Sequence, residues 1–136
     1  MIIMTARLLQ IIVGIAGLCA LVLGLLIWIA NIDLTDIHIL FGLLVTLGLL
    51  VMSIIALTAR GLRIWGLVGI VYAIILLIFG EAQSNILAGN LHWLIQALHT
   101  LVGIGAIALT GFLGARYRTL KRGEPQPAAS SHALRL

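Results

Sequence analysis

Charge is scarce in this chain, and the little there is stays away from the long apolar runs. Asp, Glu, Lys and Arg make up 9% of its 136 residues, against about 25% in an ordinary soluble domain. No acid or base falls in the middle of an apolar run. Ionisable groups inside a bilayer are costly and mark ion or proton pathways, so their absence argues against a pump or ion-coupled transporter built on a buried carboxylate. Cysteine is nearly missing: Cys19 stands alone in an apolar run. That excludes an internal disulfide, and no CxxC or Cys/His zinc spacing exists. Cys19 reads as a small packing residue. No Ser/His/Asp, paired-carboxylate or phosphate-loop constellation is present either, so no catalytic residue of a soluble-enzyme type is assigned.

What the chain has in excess is apolar surface. Hydrophobic residues reach 62% and the mean hydropathy is +1.25. A soluble domain of this size has too little interior to hide so much, so the solvent must be lipid. The sequence pI of about 10.3 reflects basic flanks of membrane helices and gives no reason to expect nucleic acid. A crossing needs about 20 apolar residues, and four runs qualify: 8–30, 37–59, 62–80 and 91–115. The expected fold class is all-α, an integral membrane four-helix bundle occupying 1–122. The tail 123–136, with Pro125, Pro127, Ser130 and Ser131, lacks apolar periodicity and reads as disordered. The first run is far longer than a signal-peptide core of about 7–15 residues and reads as an anchor. The charge-free stretch 82–115 exceeds one crossing, which allows an interfacial or re-entrant piece over 83–93.

Arg7, Arg60, Arg63, Arg116, Arg118, Lys121, Arg122 and Arg135 lie at the N-terminus, the second connection or the C-terminal segment, whereas Asp33, Asp36 and Glu81 lie on the first and third connections. The positive-inside rule then puts both termini in the cytoplasm, an N-in/C-in protein; the inner (cytoplasmic) membrane of a bacterium is the expected location, in keeping with the resemblance described below. Trp28 and Trp93 fall near the outer interface, and Trp65 and Tyr117 near the inner one. The basic run 116–122 serves orientation and contact with anionic lipid. Short connections make consecutive helices antiparallel neighbours. Most of the glycines inside the spans read as packing positions, because small residues let helices approach in lipid.

Histidine is the polar exception within the spans. His38 lies near the outer end of the second, and His92 and His99 lie on the fourth. Two helical turns separate His92 from His99, so they share a face at depths about 10 Å apart. Gln96, Gly103 and Thr110 continue that stripe. On the second span His38, Gly42, Val45, Met52, Ser53 and Ala56 form a comparable face. His38-Ile-Leu-Phe-Gly42 and His99-Thr-Leu-Val-Gly103 both read His-x-Leu-x-Gly. A glycine four residues after a histidine shares its face and removes bulk where a flat macrocycle held by that histidine would rest. Two imidazoles from facing helices can fill both axial positions of a haem iron, which favours electron transfer.

His-x-x-x-Gly near the outer end of a span, then an apolar run and a basic end, resembles helices of bacterial b-type membrane cytochromes. The likeness covers the second and fourth spans, about a third of the chain. It implies a four-helix bundle with a bis-histidine haem b that relays single electrons between a membrane quinol and an outer-face partner. The chain would then be an electron-transfer protein or a haem-dependent oxidoreductase. Three span histidines favour one haem per chain. No Arg or Lys lies on the outer connections to meet haem propionates, leaving Gln83, Ser84, Asn85, Asn90 and Trp93 as hydrogen-bond donors. His38 and His99 share the glycine context and are the expected iron ligands. His92 is the alternative ligand, or else an outer residue near a propionate or quinone beside Gln96.

Each histidine has a plainer reading: His38 facing water or headgroups, His92 at the interface, His99 hydrogen-bonded to Thr46 or a helix backbone. Asp33, Asp36 and Glu81 read as solvated loop residues, though Asp36 with His38 could form an external metal site. Two further functions compete. One is a structural or assembly subunit of a larger membrane complex or homo-oligomer. The other is a small metal-handling membrane protein, disfavoured because soft sites recruit Cys or clustered Met.

Overall fold

The computed structural model describes residues 2–87 and 89–123, the side chains of Ile2 and Ser84 excepted; the expected disordered tail lies outside the described residues. Four helices account for nearly all of it: α1 (Ile2–Ala30), α2 (Thr35–Leu57), α3 (Arg63–Ala82) and α4 (His92–Gly123). All four are long and apolar enough to cross a membrane. The expected spans are therefore present, but α1 begins six residues earlier and α4 runs eight further. The reason is physical: Arg7, Gln10, Arg116, Arg118 and Lys121 end the apolar run without breaking the helix, since none is a poor helix former. Lys121 and Arg122 lie in the last turn of α4, where cations favour the helix dipole. Where an interfacial or re-entrant piece is expected, the third connection holds one 3-10 turn, Gln83–Asn85, and α4 begins at His92.

Local chemistry sets the first connection. Asn31 ends α1 in the left-handed region at φ 53°, which Asn tolerates better than most residues. The Asp33 carboxylate then accepts the Thr35 backbone N–H at 3.4 Å, and Asp36 sits in the first turn of α2. Both acids thus favour the N-terminal end of that helix.

Close contacts fix the packing. On α1 and α2, Val13 meets Gly48, Gly17 meets Val45 and Gly24 meets His38, an antiparallel progression. Gly17 also meets Ile107, and Gln10 meets Gly114, so α1 runs antiparallel to α4. Gly105 lies against Tyr72 and Gly80 against His99, which sets α3 antiparallel to α4. Helices α2 and α4 run in parallel and touch along the diagonal of the bundle, while α1 and α3 flank them without touching each other. Facing stripes bury Val45, Leu49, Met52, Ser53 and Ala56 of α2 against Leu113 and Tyr117 of α4, with Ala6 and Val13 of α1 and Ala73 of α3 in the same cluster. The outward faces carry Leu8, Ile11, Ile15, Leu67, Ile74, Ile78 and Leu101, all exposed. Burying such a surface requires lipid rather than water.

Four side-chain hydroxyls of α2 and α4 bond to the backbone of their own helix. Thr46 donates to the Gly42 carbonyl, Ser53 to Leu49, Thr100 to Gln96 and Thr110 to Ala106. Each hydroxyl is satisfied by its own helix four residues back, as polar side chains within a bilayer require.

Candidate functional site

At the end of the bundle that carries the 31–34 and 83–91 connections, the helices part around a cavity of about 320 Å³. That is near the lower end of the range of ligand pockets. All four helices line it. From α1 come Gly17, Ala20, Gly24 and Trp28, and from α2 Thr35, His38, Gly42 and Thr46. From α3 come Leu76, Gly80 and Glu81, and from α4 Gln96, His99, Gly103 and Ile107. The walls are mostly apolar, with polar groups gathered toward the connection end.

His38 and His99 face each other here, their ring centres 6.0 Å apart and their planes tilted by 57°. The parallel run of α2 and α4 brings them to one depth, and both histidines are half-buried. The two rings differ in their surroundings. His38 Nδ1 lies 2.9 Å from the Ala20 carbonyl oxygen of α1. A carbonyl only accepts, so Nδ1 carries the proton and a neutral His38 keeps its lone pair on Nε2. His99 Nδ1 is buried with no hydrogen-bond partner, and the ring stands beside Phe79 at 5.9 Å. Thr46, a conceivable partner from sequence, has its hydroxyl on the Gly42 carbonyl. An unpartnered buried nitrogen costs about 1–3 kcal/mol, and a bound group that engages it removes that cost.

The glycines of the two His-x-Leu-x-Gly segments line the same cavity. A Cβ built on Gly42 or Gly103 would meet no atom within 4 Å. These two glycines hold space open, unlike those at helix contacts. Gln96 also lines the cavity. His92 does not: it sits at the start of α4 with Nδ1 3.4 Å from the Ile86 carbonyl, one end of the third connection. Of the expected site residues, His38, His99, Gly42, Gly103 and Gln96 are thus brought together, and His92 stands apart. Asp36 and His38 do not share a pocket. Glu81 and Gln83 reach the cavity from the end of α3, whereas the Ser84 side chain lies outside the described residues.

Sequence reasoning missed Ala20 and Gly24, which bring α1 against His38. Their small-xxx-small spacing was the available signal. Among the described residues no group of three or more His, Cys, Asp or Glu is placed to hold a metal ion. Comparison with protein-family models, with curated proteins and with solved structures finds no match to this chain.

Proposed function

We propose that the cavity binds haem b between His38 and His99 and that the protein is a membrane electron carrier. The observation that carries this reading is the spacing of the two imidazoles. Two metal–nitrogen bonds of about 2.0–2.1 Å, with the ring radii added, put the ring centres about 6.3 Å apart, and the observed separation is 6.0 Å. Rotation of either ring about a shared axis leaves that distance unchanged, so the 57° tilt is compatible with it.

Three further features support the same group. Two imidazoles alone leave a metal ion short of ligands, since structural sites close four positions; a porphyrin brings four nitrogens of its own. Gly42 and Gly103 border the cavity where a flat ring would need clearance. The buried Nδ1 of His99 has no protein partner, so in the Nε2–H tautomer its lone pair is free for a metal.

When bound between the two histidines, a haem would supply reversible one-electron exchange. The chain's own residues would do the rest. His38 and His99 hold the metal as neutral imidazoles, which cost less to bury than charges. Apolar side chains such as Leu21, Ile27, Leu76 and Ile107 exclude water. Thr35, Gln83 and Gln96 offer hydrogen bonds to carboxylates or to a quinone headgroup near the connection end. With every basic residue of the spans' flanks on the opposite side, that end faces outward and both termini face the cytoplasm.

The test is an absorption spectrum of protein made with ample haem supply and purified in detergent. A Soret band with split visible bands on reduction is expected, and it is expected to vanish in His38→Ala and His99→Ala. A protein that stays colourless, or histidine variants that keep the spectrum, sinks the proposal. Stable co-purification with a partner complex together with tolerance of both substitutions would favour an assembly subunit instead.

A further inference from the structure

His38 is held from behind by α1, and the way it is held separates it from His99. In a helix the Ala20 carbonyl accepts the N–H of residue 24, and an oxygen has a second lone pair to offer. That second pair receives His38 Nδ1 at 2.9 Å. The approach is possible because residue 24 is glycine. A Cβ there would stand 3.1 Å from His38 Cε1 and 3.5 Å from Nδ1. The first distance is tighter than ordinary contact, so the ring would have to shift off the carbonyl by a few tenths of an ångström.

We infer that Gly24 and the Ala20 carbonyl form a seat for His38, fixing it as the Nδ1–H tautomer with Nε2 as its ligating nitrogen. His99 has no such seat. Ligating histidines almost always donate the other ring N–H to a carbonyl, carboxylate or water, which sets the tautomer and strengthens the ligand. Gly24 is therefore a positioning residue that acts through His38, and the bond makes His38 the firmer of the two ligands. The seat belongs to the protein itself; only its effect on metal affinity rests on the haem reading.

The test separates the two. Full-length haem-free protein carrying ¹⁵N-histidine is examined in micelles by NMR, with His38 assigned by comparison with His38→Ala. The wild type is expected to show His38 protonated at Nδ1 and unprotonated at Nε2. Gly24→Ala is expected to shift it toward protonation at Nε2. Because Ala is a better helix former than Gly by about 0.5–1 kcal/mol, the variant retains its fold. Gly14→Ala is the control: it lies on the same helix, and a Cβ there meets nothing within 4 Å, so the tautomer stays unchanged. Titration with haemin is then expected to weaken about tenfold in Gly24→Ala, the lower end of the range for losing such a support, and to be unaffected in Gly14→Ala. A wild-type His38 protonated at Nε2, or a Gly24→Ala spectrum identical to wild type, overturns the seat. The expected tautomers with no haemin binding would uphold the seat and defeat the haem proposal.

Discussion

Glycine serves opposite purposes at two sets of positions in this bundle. Near the termini and the 58–62 connection, glycine lets helices close on one another. A Cβ on Gly66 would fall 2.7 Å from the Ser53 carbonyl oxygen, Gly69 abuts the Ser53 side chain, and Gly114 packs against the Gln10 side chain. Around them Met52, Leu62, Leu113 and Tyr117 are almost wholly buried. Toward the 31–34 and 83–91 connections, Gly42 and Gly103 touch nothing and border a cavity. The first arrangement is how helices associate in lipid. The second forgoes van der Waals contact. The abundance of glycine is therefore a poor guide by itself, and its neighbours decide its meaning.

Five substitutions sharpen or break that contrast. The largest expected effect is at His99. His99→Leu is expected to abolish haem binding, yet to stabilise the haem-free protein by about 1–3 kcal/mol, because a buried nitrogen without a partner is removed. Reversible unfolding in mixed SDS micelles reads the second quantity; a loss of stability would mean that the ring has a structural task. Next comes Gly66→Ala, which forces a methyl group against the α2 backbone and is expected to lose about 1–3 kcal/mol by overpacking. Equal stability in the same assay would show that α2 and α3 can part freely.

Gln10→Leu is expected to cost less. The Gln10 amide donates to the Gly111 carbonyl at 2.6 Å, and its oxygen accepts from Arg118. Interhelical hydrogen bonds in membranes are worth about 0.6 kcal/mol on average and about 1.7 at most, so a loss within that range is expected. Smallest of all are Gly42→Ala and Gly103→Ala. Each is expected to raise haem-free stability by about 0.5–1 kcal/mol through helix propensity while weakening haemin binding. If either variant instead destabilises the haem-free chain, the two sets of glycines do not differ as described.

Most of the architecture is legible in the sequence. Apolar runs of membrane length fixed the number of helices, and short connections fixed their antiparallel order. Helix ends were read less well. Hydropathy marks where lipid stops, and α1 and α4 continue past that level through Arg7 and Arg116 to the limits Ile2 and Gly123. The pairing of His38 with His99 could be read from a shared His-x-Leu-x-Gly pattern on two helices of the same direction. That of Gln10 with Arg118, 108 positions away, could not, since periodicity within one helix does not say which neighbour its polar face will meet. The same limit hid Ala20 and Gly24. Their spacing suggested close approach, but nothing in it specified an imidazole as the visitor.

The link between Gln10 and the segment Gly111–Arg118 also bears on how the molecule is made. It joins the first helix to the last, so the partner of the Gln10 amide is synthesised only after the other three helices have been made. Until then that amide must rely on water or headgroups, which keeps its end of α1 near the membrane surface. Closure of the bundle is thus a final, end-to-end event in biogenesis, and a chain interrupted before Gly111 would leave its first helix without a latch.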